Sequence, residues 1–269
     1  MTAPLTRPAP LTWLYVPGDR PEVMAKALSC GAEAVIVDLE DAVAPDRKEY
    51  ARAATAEFLS SPHETPVHVR IADEHDLPSL VGLPGLSGLR VPKVGHASDI
   101  HRVASRAPGV ALYALLESAL AVEHAHAIAA AHPAVHGIAL GEADLRADLG
   151  VRDDAGLDWS RGRVVVAARA AGLAPPAQSV YPDVRDLDGL AASCRHGRTL
   201  GLVGRAAIHP RQLPVIERAY LPTAREIVEA EEIIEAAADA GAHALPDGRF
   251  VDAAIVAAAR RTLSLAARH

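Results

Sequence analysis

"AVIVDLEDAV", residues 34–43, joins an unbroken run of apolar residues to three carboxylates. A continuous run of this length, rich in β-branched side chains, is typical of a strand buried on both faces, as in parallel sheets covered by helices. Asp38, Glu40 and Asp41 follow where the backbone leaves that interior. Because neighbouring carboxylates repel one another and lose hydration, the stretch predicts a buried strand and a partner that neutralises the acids at its end.

Similar apolar runs alternate with segments of helical periodicity along the chain. Eight strand-like runs at roughly 20 to 40 residue intervals favour an α/β fold, a (β/α)8 TIM barrel with a C-terminal helical extension. A doubly wound open sheet is the alternative. The eight runs read TWLYVPG from Thr12, AVIVDLE from Ala34, VHVRI from Val67, LRVPK from Leu89, ALYALLE from Ala111, HGIALGEAD from His136, AQSVYPD from Ala177 and GLVGRAAIHP from Gly201.

The chain is predicted to divide into three segments. Residues 1–10 contain three prolines and no apolar stretch, which predicts a flexible N-terminus. Residues 11–221 would form the barrel. Residues 222–269 begin with a capping box of Thr223 and Glu226 and contain two helical segments. We expect this tail to act as a lid over the barrel mouth or as an oligomerisation segment.

The composition excludes several classes of function. The net charge of −7, with no basic stretch, and an aromatic content of 3% argue against nucleic-acid binding. No apolar run approaches the length of a membrane span. Cys30 and Cys194 lie far apart and form no metal-binding pair, which fits a reducing, cytoplasmic location.

Acidic residues predominate at the ends of the predicted strands. The carboxyl ends of barrel strands converge on one face, so these side chains should meet there. Oxygen ligands without cysteine or clustered histidine favour a hard cation such as Mg²⁺. Glu117 and Asp144 are the best direct ligands, with Glu40 and Asp41 orienting water around the ion.

Two cations face these acids. Arg70 lies near the end of the third run, just before Ile71, and it could bind substrate or simply neutralise Glu40 or Asp41. Lys93 ends the fourth run. It could form a Schiff base, but a lysine that closes a strand is more often an ion-pair partner, and a metal site makes an imine unnecessary.

Several motifs together resemble the citrate lyase beta subunit family of the HpcH/HpaI aldolase superfamily. They occur in the order and spacing of that family from about Thr12 to Leu263. The resemblance implies a TIM barrel with a helical extension, assembled as a homotrimer or hexamer. The motifs are WLYVPGDRPEVMAKAL, AVIVDLEDAVAPDRK, VRI, VPK, LLESA, GEADLRADLG, AIHPRQ and the terminal DGRFVDAAIV.

The resemblance also implies roles for individual residues. Glu117 and Asp144 fall on the family's metal ligands, and Arg70 falls on the arginine that binds the 2-oxo acid. Glu40 and Asp41 fall on the acidic pair near the metal, and Asp252 falls on an acid from the tail that reaches a neighbour's active site. Arg205 stands where many members have lysine, near the end that binds the thioester. Pro17, Gly18 and Lys93, at the predicted strand ends, are also expected to contact substrate or coenzyme A.

The implied activity is a Mg²⁺-dependent carbon–carbon lyase. It would cleave or form a 3-hydroxyacyl-CoA thioester, such as citryl-, malyl- or citramalyl-CoA, with a 2-oxo acid and an acyl thioester as the other partners. An aldolase acting on free hydroxy-keto acids and a weakly active subunit of a carrier-thioester complex are the alternatives. Leu11, Thr12 and Ala72 depart from the family pattern, so the substrate can differ.

Overall fold

A parallel β-sheet forms the centre of the structure, a computed structural model that describes residues 9–238 and 250–268. Its strands all lie within the first two hundred or so residues, and each apolar run delivers its last residues to the same edge of the sheet. The strands are β1 Thr12–Pro17, β2 Ala34–Asp38, β3 Val67–Arg70, β4 Leu86–Val91, β5 Leu112–Leu116, β6 Val135–Leu140 and β7 Arg205–Ala207.

The strand order of the described residues is β6-β5-β4-β3-β2-β1-β7, with every pair parallel. Consecutive strands are neighbours, and the last strand lies beside the first. A doubly wound sheet would instead reverse its order at a switch point, so that alternative is wrong. All five residues of β2 are buried, which confirms the prediction for the AVIVD run.

One of the eight predicted strands does not join a ladder. The run from Ala177 contributes a single bridge, between Gln178 and Arg205, and the described residues contain no ladder between this run and β6. Proline lacks a backbone donor and restricts the residue before it, and Pro176 directly precedes this run while Pro182 lies within it. The structure therefore shows a curled seven-stranded sheet with helices around it.

Helices follow most strands and cover the sheet. Their apolar residues, with those of the strands, form the core. The helices are α1 Pro21–Ala27, α2 Lys48–Phe58, α3 Leu77–Leu80, α4 Ala97–Arg106, α5 Ala119–Glu123, α6 Ala125–Ala129, α7 Glu142–Leu149, α8 Asp158–Ala170, α9 Leu187–Thr199, α10 Leu213–Tyr220, α11 Ala224–Ala238 and α12 Ala253–Ala266. No helix among the described residues is long and apolar enough to cross a membrane.

The chain divides into two compact units, up to Glu217 and from Arg218 onward. In the second unit α11 packs against α12. The predicted capping box is confirmed, because Thr223 and Glu226 exchange side-chain-to-backbone hydrogen bonds of 2.7 and 3.2 Å. The predicted flexible segment 1–10, apart from residues 9 and 10, and the first three residues of the terminal motif, 247–249, lie outside the described residues.

Candidate active site

A two-point pair between Arg70 and Asp38 forms the centre of the site. The parallel register aligns these residues at the ends of β3 and β2. The Nε and Nη2 groups of Arg70 donate to the two carboxylate oxygens of Asp38 over 2.7 and 2.6 Å. Asp38 also accepts the backbone N–H groups of Glu40 and Ala42 over 2.9 and 3.0 Å. It therefore holds both the arginine and the loop that carries the other two acids.

Glu40 lies between two cations although it is only 6% exposed. Its carboxylate oxygens lie 2.7 Å from Nη1 of Arg70 and 2.9 Å from Nζ of Lys93. Neither contact has hydrogen-bond geometry, so both buried oxygens still lack a hydrogen-bond partner within the described residues. Asp41 is more exposed, and its Oδ2 atom lies 3.2 Å from the same Nη1 group.

Electrostatics keeps both cations charged. Burial alone would lower the pKa of Arg70, but the hydrogen bonds and charge of Asp38 outweigh it and raise that pKa. The close contact with the negative charge of Glu40 raises the pKa of Lys93. Arg70 is thus a pre-oriented guanidinium with most of its donors already directed at acids.

Glu117 immediately follows β5 and is 7% exposed. Its Oε2 atom accepts the backbone N–H of Lys93 over 2.9 Å, from a residue with a left-handed φ of 56°. Gly141 provides the space, because a Cβ atom there would lie 2.6 Å from Oε1 of Glu117. Burial, then the charges of Glu40 and Asp144, raise the pKa of Glu117 to about 7. A bound cation would relieve this destabilisation of the charged form.

Asp144 lies in the first turn of α7 and is exposed. It lines the same cavity as Glu117, a space of about 360 Å³. Glu142, on the same turn, is different, because its carboxylate pairs with the buried Arg161 over 2.8 and 2.7 Å. Of the two acids that follow β6, Asp144 is therefore the one whose carboxylate makes no ion pair with another described residue.

The donor set fits Mg²⁺. The described residues hold no group of three or more His, Cys, Asp or Glu side chains that could enclose a metal ion. Mg²⁺ needs no such enclosure, because it takes one or two carboxylates and keeps several waters. Glu117 and Asp144 supply two carboxylates to one cavity, and the charge of Glu40 acts on Glu117 from nearby.

The other residues predicted to contact substrate or coenzyme A lie at different places in the structure. Pro17 ends β1 opposite Asp38, and the adjacent Gly18 is needed for packing, because a Cβ atom there would lie 2.6 Å from the side chain of Leu39. Arg205 does not line the cavity described above, and its Nη1 group donates to Ser193 of α9 over 2.9 Å. The roles predicted for these residues in binding stay predictions.

Asp252 belongs to the second unit. Its side chain caps α12, accepting the backbone N–H of Ile255 over 2.8 Å. Its catalytic role stays a prediction.

Sequence reasoning missed three residues of the cavity. It assigned no role to Asp38, and it did not consider Tyr15 or Arg90, which line the same space. The signal for Arg90 is a charged residue in the middle of an apolar strand, within LRVPK. The ring of Tyr15 lies 5.3 Å from the guanidinium carbon of Arg70.

Comparison with known proteins relates the chain to CoA-thioester enzymes. A (3S)-malyl-CoA thioesterase of Cereibacter sphaeroides is 35% identical over 94% of this chain and 93% of the relative. An L-malyl-CoA/beta-methylmalyl-CoA lyase of the same organism is 31% identical, with 90% of each chain covered.

A solved structure is also similar to this chain. Protein CitE from Mycobacterium tuberculosis, in complex with magnesium, acetoacetate and coenzyme A, matches with a TM-score of 0.81 and 31% identity over 97% of this chain and 99% of that one. The sequence profile of one family covers residues 11–210, which include the whole sheet. The chain therefore belongs to the HpcH/HpaI aldolase/citrate lyase family.

Proposed function

We propose that this protein is a Mg²⁺-dependent carbon–carbon lyase acting on a 3-hydroxyacyl-CoA thioester of the malyl, citramalyl or citryl type. The observation that carries the proposal is the shared cavity of Arg70, Glu117 and Asp144 at the carboxyl ends of the strands. This set offers two oxygen ligands for a hard cation and a guanidinium for a carboxylate. The related lyase and the magnesium-bound and CoA-bound CitE structure support it.

Glu117 and Asp144 would hold the metal. Bound Mg²⁺ would supply Lewis-acid polarisation of a carbonyl oxygen and stabilise negative charge as it develops. Asp41, whose carboxylate is exposed, would orient the surrounding water together with Glu40, whose buried oxygens make no hydrogen bond within the described residues. Lys93 limits the repulsion among these acids through its contact with Glu40.

Arg70 would orient the 2-oxo acid. Asp38 fixes the guanidinium through Nε and Nη2, and Arg70 lines the cavity, so the arginine would meet the substrate without a conformational search. In cleavage, the C3 hydroxyl gives up its proton to water, its oxygen becomes the carbonyl oxygen of the 2-oxo acid as the bond between C2 and C3 of the thioester breaks, and C2 takes up a proton. We assign that proton to Asp252, supplied from the tail of a neighbouring subunit in a homotrimer or hexamer.

The family's barrel would be completed by the Ala177 run. Residues of this run and of β6 line one cavity, and Gln178 already pairs with β7. We therefore propose that residues 11–221 form an eight-segment barrel, with the Ala177 run as its seventh segment and the tail as a lid or oligomerisation segment. A cytoplasmic location remains a proposal that rests on the two distant cysteines.

Hydrolysis is a second candidate reaction, favoured by the 35% identity to the (3S)-malyl-CoA thioesterase. Water would attack the thioester carbonyl, the carbon–sulfur bond would break, and free CoA and a 3-hydroxy acid would leave. The two reactions differ in products, since cleavage yields a 2-oxo acid and keeps the thioester.

A two-product assay separates these candidates. The purified protein is incubated with malyl-, citramalyl- or citryl-CoA, with Mg²⁺ or with a chelator, while the 2-oxo acid and the free thiol are measured in parallel. A lyase releases 2-oxo acid without thiol, and Glu117→Gln should abolish this release. Thiol release alone would replace the lyase with the thioesterase. Cleavage of the free hydroxy acid without CoA would indicate an aldolase, and no reaction with any of them would favour a complex-bound subunit.

A further inference from the structure

Arg90 is a buried cation that has no carboxylate partner among the described residues. It lies within β4 and is 5% exposed. Its guanidinium carbon lies 4.4 Å from the ring centre of Trp13 and 5.4 Å from that of Tyr113. Within the described ranges 9–238 and 250–268 it has no ion pair or hydrogen bond from its side chain, and its Nε group is buried without a partner. The structure thus leaves a guanidinium unpaired in its interior.

Other buried arginines have polar partners. Arg70 and Arg161 pair with carboxylates, and Arg205 donates to Ser193 over 2.9 Å. Burial lowers the pKa of Arg90, but an arginine stays protonated in proteins, so the charge persists. The two aromatic faces offset part of the lost hydration. They provide no acceptor for the N–H groups, which an anion would.

A second cavity, of about 350 Å³, opens beside Arg90. It lies toward the amino-terminal ends of the strands, since Val135 begins β6 and lines it. Its described lining contains no Asp or Glu, whereas the first cavity contains Asp38, Asp41, Glu117, Glu142 and Asp144. An anion is therefore repelled much less in the second cavity.

The remaining lining defines the ligand further. Besides Arg90, it includes Tyr113 and His136, which offer polar groups, and a wall of alanine, proline, leucine, isoleucine and valine side chains. One fixed positive charge balances one negative charge. The apolar wall suits a short hydrocarbon body better than a hydrated phosphate or sulfate.

We infer that the second cavity is a binding site for a small organic monocarboxylate, whose carboxylate is held by Arg90 and whose apolar body lies against the loop before Ala177. Arg90 also lines the first cavity, but the described lining of the second cavity includes neither Glu117 nor Asp144, and the inference does not depend on the proposed reaction.

Calorimetric titration with butyrate measures the affinity of the site. Neutral butyramide, which has nearly the same shape, is the control, and the buffer contains a chelator and no Mg²⁺. Butyrate should bind the wild type and raise its unfolding temperature, and butyramide should do neither. Arg90→Met keeps the side-chain volume without the charge, and it should weaken butyrate binding by at least about tenfold. Because the variant removes an unpaired buried charge, it should also unfold at a higher temperature than the wild type when no anion is present.

Location is tested with 4-bromobutyrate and the anomalous signal of bromine in a crystal. A peak beside Arg90 in the second cavity is expected. Ala174→Phe, a change in the exposed loop that leaves Arg90 intact, should narrow the cavity and weaken binding. A bromine peak among Arg70, Glu117 and Asp144, equal binding by wild type and Arg90→Met, or inorganic phosphate binding more tightly than butyrate would each overturn the inference.

Discussion

Arg70 and Asp38 meet through two hydrogen bonds, of 2.7 and 2.6 Å, across neighbouring parallel strands. The arginine proposed to bind the substrate is therefore oriented by the first of the three acids of the AVIVDLEDAV stretch. Arg70 also contacts Glu40 and Asp41. A guanidinium of the protein itself thus neutralises part of the carboxylate cluster. A cation bound at Glu117 and Asp144 would neutralise more of its negative charge.

Asp38→Asn should uncouple Arg70 while keeping the side-chain shape. An amide offers one acceptor where the carboxylate offers two, and it brings an unpaired donor toward Arg70. We expect KM for the thioester to rise by about tenfold or more and stability to fall by about 2 kcal/mol, which steady-state kinetics and urea unfolding measure. Asp19→Asn, a change of the same kind outside the cavity lining, is the control. Unchanged kinetics would mean that Asp38 only holds the loop.

Gly141→Ala should displace the side chain of Glu117, a proposed metal ligand, while leaving its carboxylate chemically intact. The backbone at Gly141, with φ −91°, accepts alanine, but the new Cβ atom would lie 2.4 Å from Cγ of Glu117. We expect Mg²⁺ affinity to fall by about 10- to 100-fold with the folded state retained. Titration of Mg²⁺ followed by calorimetry measures this. Gly162→Ala, where a Cβ atom meets nothing, is the matched control, and equal affinities of the two variants would disprove the steric argument.

Stability of the metal-free protein should fall as pH rises from about 4.5 to about 7. The folded pKa of Glu117, about 7, exceeds its ordinary value of 4.5, so the folded state binds the proton more tightly than the unfolded state. The stabilisation is present below pH 4.5 and is lost as pH rises through 7, by on the order of 3 kcal/mol. Urea unfolding of wild type and Glu117→Gln isolates this contribution. Parallel pH profiles of the two proteins would refute it.

Protonation of Glu117 should also compete with metal binding. A cation requires the charged carboxylate, so Mg²⁺ affinity should decrease below pH 7 and be restored above it. Saturating Mg²⁺ should therefore restore the lost stability near pH 7, where Glu117 is charged. It should have little effect near pH 4.5, where Glu117 is protonated. Calorimetric titrations at pH 6 and pH 8 measure the change directly, and equal affinities would contradict the assignment of Glu117.

Asp252 can be a catalytic acid, a helix cap or both. Asp252→Ser keeps an acceptor for the N–H of Ile255 and removes the acid, whereas Asp252→Ala removes both. If Asp252 supplies the proton, both variants lose turnover by about 100-fold or more, and only the alanine variant loses about 1 kcal/mol of stability. Full activity of Asp252→Ser would reduce the residue to its capping role.

The sequence predicted the sheet well where local pattern decides structure. The AVIVD run is buried along its whole length, and the alternation of strands and helices brought Glu117, Asp144 and Arg70 to one cavity. Parallel strands place their carboxyl ends on one edge, so the convergence followed from order alone. The Ala177 run was misjudged because its apolar residues suit a strand, while the prolines around it limit the pairing that a strand needs.

Pairings that depend on register or on distant helices could not be predicted. Asp38 faces Arg70 because of the alignment of β2 with β3, which no short motif encodes. Glu142 and Asp144 both follow β6, and only Arg161, on α8, shows which of them is committed to an ion pair. Arg90 was visible in the sequence, but its lack of a carboxylate partner is a property of the folded chain.

A crystal grown with Mn²⁺ in place of Mg²⁺ and a 2-oxo acid such as pyruvate gives the most direct test. The anomalous signal of Mn²⁺ should lie between the carboxylates of Glu117 and Asp144, with the pyruvate carboxylate reaching the guanidinium of Arg70. A Mn²⁺ position away from these two acids in a protein that cleaves its thioester normally would contradict the proposed metal site and the lyase mechanism built on it.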